Sequence, residues 1–372
     1  MTTAEPQAAA PAIQFDDAQC VALVEALSNA YGPSGFEDPV LDVARAFCDG
    51  WATLETNSLR CGFITPKNFT GTKPVVMMDA HGDEVGLMVK SIRDNGCLTF
   101  IQLGRFSKGV LGGEQVRVRT TTGEWIPGVV GVKPPHFATA AELEGKAELE
   151  MLIDIGATSR EDAINNFHVG VGEPVCPATR FTWDPANRVM FGKAFDCRVG
   201  VAAMLLALRE LAQIDDLPFD VVAAISSQEE VGERGVAASV RRFNPTVCYM
   251  FEGAPGDDTF GNPADAQCCI KQGPMFRYAD CCMITNPLYQ RFVLGVAQQA
   301  GLPAQGAVRE GGGTDGGIAH LMNNGIPCVV SGVPSRYIHA GCAVAALDDV
   351  QNAARLAVAA ISSLTPEVAA TF

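Results

Sequence analysis

Five segments of this sequence end in side chains that bind metals or move protons. Glu229 and Glu230 close the apolar run 221–225 and precede the turn residues Val231 and Gly232. Val75-Val76-Met77-Met78-Asp79-Ala80 leads into His81-Gly82-Asp83-Glu84. A third run, 246–251, leads into Glu252-Gly253, and a fourth, 327–330, leads through an expected turn at Pro334 into Arg336-Tyr337-Ile338-His339. Lys193-Ala194-Phe195-Asp196-Cys197-Arg198 places an acid just before the apolar helix expected over 199–211. An α/β sheet gathers ligand-binding groups beyond the carboxyl ends of its strands. If these strands lie side by side, His81, Asp196, Glu230, Glu252 and His339 converge as nitrogen and oxygen ligands of the kind zinc favours.

The charge count supports two metals. Asp196, Glu230 and Glu252 supply three negative charges against the four positive charges of two divalent ions, and a bridging hydroxide would complete neutrality. A single bridging carboxylate would hold such ions roughly 3.5–4 Å apart, as in two-metal hydrolases. Asp196, short and placed at a helix start, is the best bridging candidate. Of the Glu229–Glu230 pair, one carboxylate can bind metal while its neighbour faces the attacking water. Asp83, two residues beyond His81 on the same side of an extended segment, can accept a hydrogen bond from the non-ligating ring nitrogen.

The strings His81-Gly82-Asp83-Glu84-Val85-Gly86, Phe195-Asp196-Cys197-Arg198-Val199-Gly200, Gln228-Glu229-Glu230-Val231-Gly232 and Arg336-Tyr337-Ile338-His339 resemble the tetrahedral aminopeptidases. These co-catalytic zinc or cobalt peptidases are also called the glutamyl and deblocking aminopeptidase family. The likeness runs from Gly32-Pro33-Ser34-Gly35-Phe36-Glu37 to the last helix and includes Gly311-Gly312-Gly313-Thr314-Asp315. It implies that His81 and Glu252 hold one metal, Glu230 and His339 the other, with Asp196 bridging. Glu229 becomes the general base, supported by Asp83. Zinc or cobalt is the implied metal, and manganese also suits the ligand set. The resemblance places the glycine loop, with Gly313, Thr314 and Asp315, beside the active site, and this loop together with the segment around Arg277 is expected to form the substrate side-chain pocket. Two positions depart from the family: it usually has Asp where this chain has Glu252, and Asp or Asn where this chain has Cys197.

The elements that must position these residues change character along the chain. Helical patterns cover 17–30 and 39–48. Between His81 and Asp196, short strand-like runs at 98–103, 115–121, 125–132 and 149–155 alternate with glycine-rich turns, which suggests a small β-barrel or sandwich. From Asp196 onward helices and strands alternate, the pattern of α/β architecture with a mostly parallel sheet. The expectation is therefore a catalytic α/β domain in two parts, 1–87 and 189–372, interrupted by a β domain at 88–188. The resemblance implies a phosphorylase/hydrolase-like sheet flanked by helices. It also implies that the inserted barrel pairs subunits into dimers and twelve-subunit tetrahedra.

Composition fits a globular enzyme: 372 residues, 48% of them apolar, are enough to fill real cores. Net charge of −15 argues against nucleic-acid or anionic-membrane partners. No secretion signal is evident, no run approaches the ~18 apolar residues of a membrane span, and residues 1–13, rich in Ala and Pro, read as loosely packed. The thirteen cysteines include no Cys-x-x-Cys pair. They read as reduced core thiols in a cytoplasmic protein, with the doublets Cys268-Cys269 and Cys281-Cys282 in strand-like context. His136, His168 and His320 read as structural or surface residues.

The favoured activity is removal of N-terminal residues from short peptides. A deacylase or amidase on the same di-metal site is the alternative, distinguished by whether the substrate needs a free α-amine. A non-catalytic oligomeric scaffold would have been favoured by a missing ligand, and none is missing.

Overall fold

Strands Asp220–Ser226, Val75–His81, Val247–Pro255 and Cys328–Arg336 lie side by side and parallel at the centre of an eleven-stranded sheet. They are seen in a computed structural model that describes residues 13–107, 109–144, 150–260 and 262–372. The Ala/Pro-rich start at 1–12 lies outside the described residues. Antiparallel strands continue the sheet on both sides, so it is mixed overall and parallel in the four strands that carry the site.

The apolar runs form strands because both faces of the sheet are covered. Val76, Met78 and Ala80 join one core with Val221, Ala223 and Ile225. Their alternates Met77, Val222 and Ala224 join another on the opposite face, as the two-residue period of a strand requires. The first face carries helix Phe195–Leu211, buried around nearly its whole circumference, and the alanine-rich helix Leu347–Ser363 packed against it. A helix apolar all round is stable only inside a core. The second face carries the shorter helices Val236–Phe243 and Asp315–Ala319.

The chain leaves this sheet after His81 to form a closed six-stranded antiparallel barrel from Gly86–Ile92, Leu98–Leu103, Gln115–Arg119, Trp125–Val132, Met151–Asp154 and Pro174–Pro177. Leu87, Val89, Leu98, Val116, Val118, Val130, Ile153 and Val175 fill its interior. The hairpin Thr182–Asp184 and Val189–Gly192 already belongs to the large sheet.

Two local expectations fail. Pro334 makes no turn: it lies inside strand Cys328–Arg336, paired in register with Ala254. The cysteine doublets are not in strands, and Cys281, Cys282 and Cys342 are exposed. Asp280 accepts hydrogen bonds from the backbone of Cys282 and Met283, which bends that segment away from the preceding strand. All thirteen cysteines are free.

Candidate active site

Strand order brings the candidate ligands together. Met250 pairs with Asp79, so Glu252 and His81 sit two residues further along adjacent parallel strands. Ser226 pairs with His81, which puts Glu229 and Glu230 in the loop just beyond it. His81 Nε2 lies 3.2 Å from Asp196 Oδ1, 3.2 Å from Glu252 Oε1 and 3.8 Å from Glu229 Oε2. His339 Nε2 lies 3.1 Å from Asp196 Oδ2 and 3.6 Å from Glu230 Oε2. Asp196 therefore offers one oxygen to each half of the cluster.

Each imidazole is oriented through its other nitrogen. His81 Nδ1 is 3.2 Å from the Asp83 carbonyl oxygen and 3.4 Å from Asp83 Oδ1. His339 Nδ1 is 2.6 Å from the carbonyl oxygen of Arg105, which follows the barrel strand Leu98–Leu103. A proton held at Nδ1 leaves the Nε2 lone pair free to bind a metal. Asp83 also accepts from the backbone N–H groups of Glu229 and Glu230 at 3.0 and 3.2 Å, and from Ser34 Oγ at 2.6 Å. One carboxylate thereby aligns a histidine and the two glutamates.

Left-handed backbone collects here. Ala194, Gln228, Tyr337 and His339 have φ between 57° and 61°, a region that disfavours side chains and costs of order 1–3 kcal/mol each. Buried partners hold these segments. Glu37 accepts from Ser227 Oγ at 2.7 Å and from the Gln228 N–H at 3.1 Å, directly before Glu229. Glu84, fully buried, takes Lys193 Nζ at 2.6 Å and Arg198 Nη2 at 3.4 Å, on either side of Asp196.

The electrostatics call for cations. Burial, and then the neighbouring carboxylates, push Glu229, Glu230 and Glu252 above the ordinary carboxylate range, although His81 opposes this. Burial alone would lower the His81 pKa, but Glu252 and Glu229 outweigh it and raise it. Burial likewise works against Asp83, yet its bonds to His81 and Ser34 hold it below its usual range. Glu230 Oε1 is buried with no hydrogen-bond partner, a costly state that a bound cation relieves. The donor set therefore fits two divalent ions, with His81, Glu252 and Asp196 toward one and Glu230, His339 and Asp196 toward the other.

The cluster opens into a cleft of about 790 Å³ lined by Arg105, Phe106 and Ser107 from the barrel side and by Glu233, Arg277, Cys281 and Gly311 to Gly313 from the sheet side. Of the expected substrate region, Gly313 and Arg277 stand on its wall. Arg277 is engaged there with Asp280 at 3.2 Å and with the carbonyl oxygens of Gly312 and Gly313 at 3.4 and 3.3 Å. Thr314 and Asp315 turn inward and are buried. Burial and the adjacent Asp79 raise the Asp315 carboxyl, while burial lifts Asp79 to about 7. Ser226 Oγ donates to Asp79 at 2.5 Å. His136 and His168 are exposed and lie outside the cleft lining, as does His320, whose Nδ1 is 2.9 Å from the Gly316 carbonyl oxygen.

Sequence reasoning misses the loop 105–107, because its contacts to His339 are made by backbone atoms that no residue type announces. It also gives Glu37 no role, although the string Gly32 to Glu37 carries part of the family resemblance.

The chain matches the M42 glutamyl aminopeptidase family over residues 62–356. It is 33% identical over 347 residues to a glutamyl aminopeptidase of Lactococcus lactis, covering 92% of this chain and 96% of that protein. It is 31% identical over 359 residues to the lysyl aminopeptidase of Pyrococcus furiosus, covering 92% and 97%. A TET aminopeptidase from a marine-sediment archaeon of the Thaumarchaeota superposes with a TM-score of 0.89 at 35% identity, covering 95% of this chain and 99% of that one. The Pyrococcus horikoshii TET1 peptidase shares the fold, with a TM-score of 0.81 at 24% identity over 91% and 98% of the two chains. With the family matched over most of its length, and its strands converging on paired histidine–carboxylate clusters, this chain belongs to the M42 glutamyl aminopeptidase family.

Proposed function

We propose that this protein is a two-metal aminopeptidase that removes N-terminal residues from short peptides. The observation that carries the reading is the Asp196 carboxylate, met by His81 at one oxygen and by His339 at the other. Two bound divalent ions, zinc or cobalt and less readily manganese, would supply Lewis acidity toward the scissile carbonyl and lower the pKa of the attacking water. Glu229 takes the proton from that water and returns it to the leaving amine. Its buried carboxylate stands 3.8 Å from His81, and its backbone is clamped by Asp83. Glu230, Glu252, Asp196 and the two histidines hold the ions, while Gly311 to Gly313 and Arg277 border the space for the peptide.

The segment 88–188 is proposed as the subunit-pairing domain. Ile101, Val129, Val132 and Phe137 on and beside the barrel are exposed apolar side chains that a partner copy would cover. The TET1 relative is described as assembling into a tetrahedron or a large octahedral shell, and a dimer or tetrahedral dodecamer is proposed here. Thirteen free cysteines suit the reducing cytoplasm. Among the described residues, no helix is long and apolar enough to cross a membrane.

The test is a panel of aminoacyl p-nitroanilides and peptides, each with a free and an acetylated α-amine, given to metal-loaded protein and to Glu229→Gln. Turnover restricted to free amines and lost in the variant supports the aminopeptidase. Cleavage of only the acetylated set would replace it with the deacylase reading, and silence on both would leave a scaffold.

A further inference from the structure

The two halves of the metal cluster differ by one thiol. Cys197 Sγ lies with the ligand atoms of His81 and Glu252 in a group whose members are all within 4.8 Å of one another, and all three residues are buried. The other half, Asp196, Glu230 and His339, has no sulfur. Two further features keep the thiol in place. Sγ rests 3.5 Å from the carbonyl oxygen of Phe251, the residue before Glu252. Gly200 leaves the room it occupies, since a Cβ there would come within 2.5 Å of Sγ and 3.1 Å of the Glu252 backbone nitrogen.

Resting on the two-metal reading above, we propose that Cys197 is a fourth protein ligand, as thiolate, at the His81–Glu252–Asp196 position. The sulfur–metal bond forms as the thiol proton passes to solvent or buffer. Four protein ligands fill a tetrahedral zinc shell and close it in the manner of structural sites, whereas three ligands leave a place for water. The two positions therefore divide the work. The buried one retains its ion and supplies fixed charge, and the Glu230–His339–Asp196 position keeps the open coordination place. A thiolate also favours zinc, cadmium or cobalt over manganese at the buried position.

The test is the absorption spectrum of protein loaded with cobalt(II) alone. Visible d–d bands report that cobalt is bound, and a sulfur-to-cobalt charge-transfer band in the near ultraviolet reports the thiolate. The expected wild-type spectrum contains both. Cys197→Ser and Cys197→Asp lose the charge-transfer band, Cys197→Asp keeps the d–d bands, and Cys281→Ser and Cys282→Ser keep both. Zinc preference over manganese, measured by competition dialysis, falls about tenfold or more in Cys197→Asp. Visible bands without charge transfer in wild type overturn the thiolate and leave the two-metal reading standing. A charge-transfer band that survives in both Cys197 variants overturns it equally. Protein that binds no cobalt overturns both.

Discussion

The two histidines of the cluster are supported by different parts of the molecule. His81 ends a central strand, its side chain is only 2% exposed, and it is fixed by Asp83 two residues away. His339 lies on a loop with left-handed backbone, its side chain is 32% exposed, and it is braced by Arg105, 234 residues away. One half of the site is thus set by the sheet and the start of helix Phe195–Leu211 packed on it, and the other also draws on the barrel side through Arg105. Precision comes from core packing in the first case and from a contact between two folding units in the second.

Glu229→Gln acts on both halves at once and carries the largest expected effect. Losing the proton acceptor lowers kcat by about 10²–10⁴-fold while the protein still binds its metal, which stopped-assay rates and metal analysis on the same sample would check. Metal lost together with activity would mean that Glu229 is a ligand instead. Asp83→Asn aims at the sheet-built half. It removes the charge that orients His81 and weakens the grip on both glutamate N–H groups, so metal affinity falls about 10–100-fold. Equilibrium dialysis should show that loss at the His81 position first.

Gly104→Ala aims at the barrel-supported half. Gly104 has φ +78°, and a Cβ there would stand 2.9 Å from Val85 Cγ1 and 3.0 Å from Glu230 Oε2. The substitution should cost about 1–3 kcal/mol in backbone strain and weaken metal retention beside Glu230 about tenfold, with the His81 position unaffected. Equal weakening at both positions would erase the contrast between them.

The smallest effect concerns stability. Burial, then the nearby Asp83, lift Glu37 to about 7 from an ordinary 4.5. Between those values the folded chain holds a proton that the unfolded chain has released. Stability therefore falls as pH rises from about 4.5 to 7, by on the order of 1 kcal/mol for each pH unit crossed. Glu37→Gln keeps an oxygen for Ser227 and Gln228 and should flatten this slope in denaturant titrations at pH values of about 5 and 7.5, either side of the folded-state titration. An unchanged slope would assign the pH dependence to other acids.

Four of the candidate ligands were legible because each ends or follows an apolar run, a trace that buried parallel strands leave in the sequence, whereas Asp196 was marked by the apolar run 199–211 that follows it. The barrel was legible for a similar reason: its strands 98–103 and 125–132 lie where the alternation placed them. What stayed hidden depends on the third dimension. A proline within a strand is expected only at an edge, a bulge or a strand's first residue, so Pro334 read as a turn. It is accommodated at a position where the side toward Met275–Ala279 and Ala343–Ala346 carries no register partner for it. Cys281 and Cys282 looked apolar by type, yet Asp280 turns them outward. Glu37 and Glu84 carry no role in the sequence reading, and only packing shows that they brace the segments before Glu229 and around Asp196.

Asp196 joins residues 115 positions before it and 143 positions after it. A chain emerging from the ribosome therefore has no complete site until His339 is out. Under the proposed reading, an exopeptidase built this way lacks a complete centre until His339 is made, while the free amino termini of other nascent chains are close at hand. A fragment ending before His339 would keep strands Asp220–Ser226, Val75–His81 and Val247–Pro255 and lack one residue of the proposed second metal position.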